Sequence, residues 1–149
     1  MMSSLASLMD RSATIESLIG RGYEKNAKGP DKFDCWHLAV YVQDLMFGRR
    51  APAIDVPENA NWSWMIEQFT THPELGNWIE VLQPANGLIV ASDGAMVLMA
   101  RNKHPAHCGV YFKQERKILH ADDRLGVVFQ DIPTLKGEAW TRLRFYEPR

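Results

Sequence analysis

The sequence predicts an α+β domain, with helices in its first half and an antiparallel sheet of about five to six strands in its second half. Three observations indicate this class. Apolar residues recur at helical spacing before Pro84, short apolar runs separated by turn residues follow it, and those runs lie too close together for crossover helices. At 149 residues, the chain is most simply one domain spanning 1–149.

The first half is predicted to contain two helices separated by a loop. We expect residues 1–12 to be a loosely held lead-in, followed by a short helix that starts at Thr14 as its cap. The second helix is better defined, because Asp34 is a good N-cap and Gly48 is a good C-terminal stop. Its predicted apolar face consists of Leu38, Tyr41, Val42, Leu45 and Met46.

Residues 49–83 are predicted to form a helical insertion or cap. A loop with two prolines over 51–60 precedes a helical stretch over 61–83 that breaks near His72 and Pro73. We interpret the aromatic residues of this stretch as core filling or as the roof of a groove, rather than as a cofactor site. They are Trp62, Trp64, Phe69 and Trp78.

The second half is predicted to be a meander of short strands. Each apolar run is bounded by turn-forming residues, so neighbouring runs are expected to pair as antiparallel hairpins. The candidate strands are 87–91, 95–101, 107–113, 116–121, 125–129 and 141–146.

Composition and charge exclude several classes of function. The chain has 17 basic and 18 acidic residues, so it offers no general attraction to nucleic acid or anionic lipid. Its most apolar stretch, 87–100, is interrupted by Ser92, Asp93 and Gly94, which predicts no membrane span. The N-terminus lacks a basic leader and a long apolar core, so we expect synthesis in the cytoplasm without a cleaved signal peptide.

Cys35 is the leading candidate for a reactive side chain, because it follows Asp34 at the start of the predicted second helix. The dipole and free N–H groups of a helix N-terminus favour a thiolate. His107 opens one predicted strand and His120 ends the next, so a hairpin makes them neighbours that can act as base and orienting residue. On the residues alone, Cys35 is a core residue, a metal ligand or a nucleophile, and all three roles stay open.

Zinc binding is the competing chemical interpretation. Soft ligands are available in Cys35, His37, His107, Cys108 and His120. The chain has no C-x-x-C, H-x-x-x-H or H-E-x-x-H spacing, and His107 and Cys108 should point to opposite faces of a strand. We therefore predict no metal site and no cofactor.

Three ordered segments resemble the NlpC-type cell-wall peptidases, a papain-like family. LIGRGYEKNAKGPDKFDCWHLA is similar to the family's nucleophile region, and its Asp-Cys-Trp version is similar to a subgroup found among phage tail proteins. AMVLMARNKHPAHCGVYF resembles the strand, loop and strand that carry the family's histidine. ILHAD lies where a third polar residue is expected.

The resemblance implies a papain-like NlpC-type fold with a catalytic triad. Cys35 is then the nucleophile, His107 the general base and His120 the residue that holds His107. Tyr23, Trp36 and His37 are assigned to substrate binding, and His37 stands where the family usually has glycine. The implied activity is that of a cysteine peptidase that hydrolyses an amide of peptidoglycan stem peptides, typically between D-glutamate and the diamino acid.

The resemblance also implies partners and a setting. The partner is the peptidoglycan stem peptide, with phage tail proteins as further partners, and the chain acts in a phage or prophage tail or at the cell wall or periplasm. Alternatives on the same fold are an antibacterial effector amidase and a tail-assembly or interaction protein with weak or lost catalysis. An acyltransferase or deamidase using the same triad is a third.

Overall fold

The computed structural model describes residues 4–149, with side chains from residue 10 onward. In that part of the chain, helices precede a six-stranded antiparallel sheet, and a second, two-stranded sheet is parallel. The predicted α+β class is therefore confirmed. Among the described residues, no helix is long and apolar enough to cross a membrane.

The first helix, α1, spans Ser4–Leu18 and therefore begins well before Thr14. Thr14 is an interior residue of this helix, and its hydroxyl donates to a carbonyl one turn earlier at 2.8 Å. The predicted lead-in over 1–12 is thus helical from Ser4 onward, and residues 1–3 lie outside the described part. Ile15 and Leu18 anchor the helix, because both are buried in the core.

The second helix, α2, spans Cys35–Phe47, and both of its predicted ends are confirmed. The Asp34 side chain accepts from a first-turn amide, and Gly48 adopts the left-handed conformation with φ of 64°. Such a cap stabilises a helix by about 1 kcal/mol. Leu38 and Val42 are buried as predicted, whereas Leu45 is 55% exposed.

The region 49–83 is only partly helical. An irregular loop leads to α3, Trp62–Thr71, and a 3₁₀ helix, Pro73–Asn77, follows after His72. The predicted break near His72 is present, but the second helical piece ends at Asn77 instead of reaching residue 83, because the chain enters a strand, β3, Trp78–Val81. The strand forms because Trp78–Val81 finds a partner at the C-terminal end of the chain, a pairing that local periodicity does not reveal.

Two short strands, Gly22–Tyr23 (β1) and Lys32–Phe33 (β2), form the parallel pair, and the other strands belong to the main sheet. After β3, these are β4 (Met96–Ala100), β5 (His107–Phe112), β6 (Lys117–Asp122), β7 (Gly126–Asp131) and β8 (Arg142–Pro148). The order in the main sheet is β3-β8-β4-β5-β6-β7. A short helix, α4 (Ile132–Gly137), connects β7 to the last strand.

Five of the six predicted strands are confirmed within a few residues, and the exception is 87–91. There, the amide and carbonyl of Val90 bond to the Gln83 side chain at 2.8 and 2.9 Å, so a side chain takes the place of a neighbouring strand. Leu88 and Val90 are correspondingly exposed.

Both faces of the sheet are covered, which explains why β4 and β5 are buried along their whole length. Met96 and Leu98 face the cluster that contains α2, while Val97 and Met99 face a second cluster with Leu135 of α4. This alternation is the two-residue period of a strand. The start of α2 is thereby packed against β5, the strand that begins with His107.

Candidate active site

Cys35 is the first residue of α2 and is 2% exposed. The preceding Asp34 is held on two sides, because its carboxylate accepts from the amide of His37 at 2.8 Å and from that of Asn26 at 2.9 Å. The cap therefore fixes the direction in which α2 starts. The cap uses the His37 amide, and the Leu38 amide donates to the Asp34 carbonyl, so the first-turn amides left without an acceptor in the helix are those of Cys35 and Trp36, next to the Cys35 sulfur.

Cys108, the other cysteine, lies on β5 beside Cys35 and is fully buried. Burial raises the pKa of the Cys108 thiol well above its usual value, and the adjacent Cys35 raises it further. A thiol that stays protonated is a poor nucleophile. The sequence-based expectation of a buried thiol at Cys108 is confirmed.

His107 and His120 meet between neighbouring strands β5 and β6, with His107 Nε2 and His120 Nδ1 2.8 Å apart. Gly109 makes room for this contact, because a Cβ there would lie 3.0 Å from the His120 Cβ and 2.9 Å from the Leu119 carbonyl oxygen. The predicted cross-strand neighbourhood of the two imidazoles is thus present. The contact leaves His107 Nδ1 as the nitrogen that is free for chemistry.

The surroundings of His107 favour its neutral form. Burial lowers its pKa well below the usual value, and the charges of His120 and Arg101 lower it further. Its ring stacks on Trp140 with centroids 4.8 Å apart, and the Arg101 guanidinium lies 3.9 Å from the centre of the Trp140 ring. A neutral imidazole whose Nδ1 has a free lone pair is in the protonation state that a general base requires.

A cavity of about 240 Å³ joins Cys35 and His107 to the rest of the site. All five tryptophans of the chain line it: Trp36, Trp62, Trp64, Trp78 and Trp140. Residues of α3 and the 3₁₀ helix therefore form one wall of the groove, which agrees with the predicted roof of aromatic side chains. Aromatic walls supply apolar contact area and exclude water from the reacting groups.

Tyr23 and Trp36, which the sequence analysis assigns to substrate binding, also line this cavity. Burial raises the pKa of the Tyr23 phenol, so the hydroxyl keeps its proton and is able to donate a hydrogen bond into the cavity. The Trp36 indole donates to the carbonyl of Pro52 at 2.9 Å. Trp36 thereby ties the irregular loop after α2 to the start of that helix.

His37 does not line the cavity, in contrast to the expectation that it contacts substrate. Its ring is 1% exposed, with Nδ1 2.9 Å from the Asp34 carboxylate and Nε2 3.2 Å from the Ile54 amide nitrogen. Nε2 must accept from that amide, so Nδ1 carries the proton and donates to Asp34. Both ring nitrogens are hydrogen-bonded within the protein, so His37 stabilises the loop that contains Ile54 and has no free nitrogen for substrate.

Four further residues of the site have no strong signal in the sequence. Arg101 and Trp140 flank His107, and Gln130 and Glu138 lie behind His120. Arg101 follows β4, Gln130 is on β7, and Glu138 and Trp140 share the connection between α4 and β8, so no single short motif contains all four. Among the described residues, no group of three or more His, Cys, Asp or Glu side chains is arranged to hold a metal ion.

The geometry can be compared with known proteins. No family model matches the sequence, and no curated protein matches it. The solved structure of the NlpC/p60 domain of the peptidoglycan hydrolase SagA is similar to this chain at 18% identity and a TM-score of 0.54. The match covers 99% of this chain and 100% of that one.

Two structures from Trichomonas vaginalis, NlpC2 and NlpC1, are also similar, each at 13% identity and with TM-scores of 0.55 and 0.54. The match covers 92% of this chain in both cases, but only 45% and 42% of theirs. Identity at this level indicates a shared fold. The chain therefore has the NlpC/p60 fold.

Proposed function

We propose that this chain is a cysteine peptidase that hydrolyses an amide bond in peptidoglycan stem peptides, of the D-glutamyl to diamino acid type. The observation that carries the proposal is the shared cavity of Cys35 and His107, with His107 hydrogen-bonded to His120 on the side away from its free nitrogen. The fold supports the same class of chemistry, because a solved neighbour is the domain of a peptidoglycan hydrolase.

The proposed reaction begins with proton transfer from the Cys35 thiol to His107 Nδ1. The sulfur attacks the amide carbonyl carbon, and the Cys35 and Trp36 amides at the start of α2 stabilise the negative charge that develops on the carbonyl oxygen. His107 then gives its proton to the leaving amine, and the C–N bond breaks. In the second half, His107 takes a proton from water as its oxygen attacks the thioester carbon. The C–S bond then breaks, the carboxyl product leaves, and His107 returns the proton to the Cys35 sulfur.

For the biological setting, we propose a phage or prophage tail that meets the cell wall. The support is the Asp34, Cys35 and Trp36 sequence at the nucleophile, which is similar to that of the tail-associated subgroup. Trp36 has a structural role beside the nucleophile, because it lines the cavity and its indole holds the neighbouring loop.

The decisive experiment is incubation of the purified protein with defined tri- and tetrapeptide muropeptides, followed by mass spectrometry of the products. We expect a fragment pair that corresponds to cleavage after the D-glutamyl residue. Cys35→Ala should give none, whereas the matched control Cys108→Ala should keep measurable cleavage because that thiol is not the nucleophile. Equal product patterns for wild type and Cys35→Ala would refute the proposal.

A further inference from the structure

The hydrogen-bonded series that starts at His107 continues beyond His120. His120 Nε2 lies 2.7 Å from Gln130 Oε1, and Gln130 Nε2 donates to Glu138 Oε1 at 3.0 Å. Gln130 is on β7, and Glu138 follows α4. Four side chains from separate elements thus form one line from the cavity to a carboxylate.

The direction of this series follows from the chemistry of its last member. A carboxylate only accepts hydrogen bonds, so the Gln130 group that faces Glu138 must be the NH₂ and the group that faces His120 must be the carbonyl. His120 Nε2 then carries the proton. His120 Nδ1 accepts from His107 Nε2–H, and His107 Nδ1 has a lone pair.

The opposite direction disables the site. If the Gln130 amide were turned, its NH₂ would donate to His120 Nε2, and His120 Nδ1–H would donate to His107 Nε2. His107 Nδ1 would then carry a proton and could not take one from Cys35. In that orientation Gln130 Oε1 would face the Glu138 carboxylate, acceptor against acceptor.

The burial and the hydrogen bonds of Glu138 indicate that its carboxylate serves to orient Gln130. Among the described residues, Oε2 of Glu138 is buried without a hydrogen-bond partner, so the carboxylate's bond is the one to Gln130. In the described part of the chain, the charged and titratable groups that act on His107 are His120 and Arg101, and those that act on His120 are Asp122, Glu138 and Arg101. Arg101 donates to the backbone carbonyl of Glu138 at 3.1 Å rather than to its carboxylate.

We propose that Gln130 and Glu138 are positioning residues, which select the tautomer of His107 whose Nδ1 lone pair serves Cys35. The purpose of that lone pair rests on the proposed peptidase function, but the tautomer itself is a property of the free protein. Glu138 acts through Gln130 and His120, and none of the three touches the reacting amide.

The first test is the nitrogen-15 NMR spectrum of the histidine rings in the full chain without substrate, since imidazole nitrogen shifts distinguish the tautomers. Wild type is expected to show His107 and His120 protonated at Nε2. In Glu138→Gln, the amide at 138 can donate as well as accept, so a population protonated at Nδ1 should appear in both rings. Identical tautomers in wild type and Glu138→Gln would overturn the proposal.

Two further variants separate direction from packing. Gln130→Glu keeps an acceptor facing His120, so its histidine tautomers should stay as in wild type. The double variant Gln130→Glu with Glu138→Gln moves the carboxylate one position along the series and should restore the tautomers that Glu138→Gln disturbs. A double variant no better than the single one would contradict the proposal. If Glu138→Gln does not fold, rings protonated at Nδ1 in Gln130→Glu would contradict it as well.

Kinetics on a cleaved muropeptide provide a second readout. Loss of the productive tautomer should lower kcat by about tenfold or more in Glu138→Gln, with little change in KM, and the double variant should recover it. The matched control, Gln114→Glu with Glu67→Gln, makes the same chemical exchange at two exposed positions and should behave as wild type. If no muropeptide is cleaved by wild type, the proposed substrate fails, while the NMR result still decides on the positioning residues.

Discussion

Two buried histidines lie near Cys35, and their different surroundings separate a structural residue from a chemical one. His37 donates from Nδ1 to Asp34 and accepts at Nε2 from the Ile54 amide, so the protein uses both nitrogens. His107 contacts His120 through Nε2, lines the cavity, and has no hydrogen-bond partner among the described residues at its other nitrogen. Burial does not distinguish them, because both are below a tenth exposed. What distinguishes them is the ring nitrogen of His107 that has no partner in the part of the chain that the structure describes.

The largest expected effect follows from removing that nitrogen. His107→Ala should lower kcat/KM for muropeptide cleavage by about 10²–10⁴-fold, which is the usual contribution of a general base. The same truncation at His37 should lower it by less than about tenfold, since His37 lies outside the cavity. Steady-state cleavage rates of the two variants side by side test this contrast, and it fails if His37→Ala is the more damaging.

For the stability of the fold, in contrast to activity, we expect truncation of His37 to be the more damaging of the two. His37→Ala removes a buried ring that has two hydrogen-bond partners. It leaves the Ile54 amide without an acceptor, takes one donor from the Asp34 carboxylate and creates a cavity. We expect the free energy of unfolding to fall by about 2–4 kcal/mol. Urea unfolding of the variant against exposed His104→Ala gives the comparison, and a loss no greater than that of His104→Ala contradicts the bracing role.

The free energy of unfolding should depend on pH, because the fold keeps His107 and His120 neutral. Burial lowers the pKa values of His107 and His120 below 6.5; neighbouring charge adds to this shift at His107, whereas the Gln130 hydrogen bond, Asp122 and Glu138 oppose it at His120. Just below that pH, the unfolded chain binds protons that the folded chain does not, so stability falls as pH falls. We expect no change from this source above about pH 7.5 and a loss of up to about 1.4 kcal/mol per unit and histidine below about pH 6.5.

Urea unfolding across this pH range measures the slope directly. His107→Gln should flatten it, because a titrating group with a lowered pKa is gone, and His104→Gln, at an exposed position, should leave it unchanged. An equal slope in wild type and His107→Gln would show that His107 is not held neutral by the fold.

The smallest expected effect concerns the loop that His37 and Trp36 both hold. Trp36→Phe keeps an aromatic wall but loses the bond from the indole to the Pro52 carbonyl. We expect stability to fall by about 1 kcal/mol and KM to rise by about two- to fivefold with kcat nearly unchanged. Binding and turnover measured on one muropeptide separate these effects, and a fall in kcat alone would place Trp36 in the chemistry instead.

Much of the fold could be predicted from the sequence because its signals are local. The cap at Asp34 and the left-handed glycine at 48 define α2, and turn residues mark most of the strands. The early start of α1 and the strand Trp78–Val81 could not be predicted in this way. The strand exists through pairing with β8, whose residues lie at the other end of the chain.

For the candidate site, the sequence by itself determined that a cysteine starts a capped helix and that two histidines belong to successive strands. Both relations lie within short stretches of the chain, where helix capping and the geometry of a hairpin determine which residues are neighbours. Only the tertiary structure decided that His37 is enclosed, that His107 keeps one free nitrogen, and that Gln130 and Glu138 lie behind His120. Those contacts depend on strand register and on the packing of distant segments, because a hydrogen bond within 3 Å requires both partners to be placed by the whole fold.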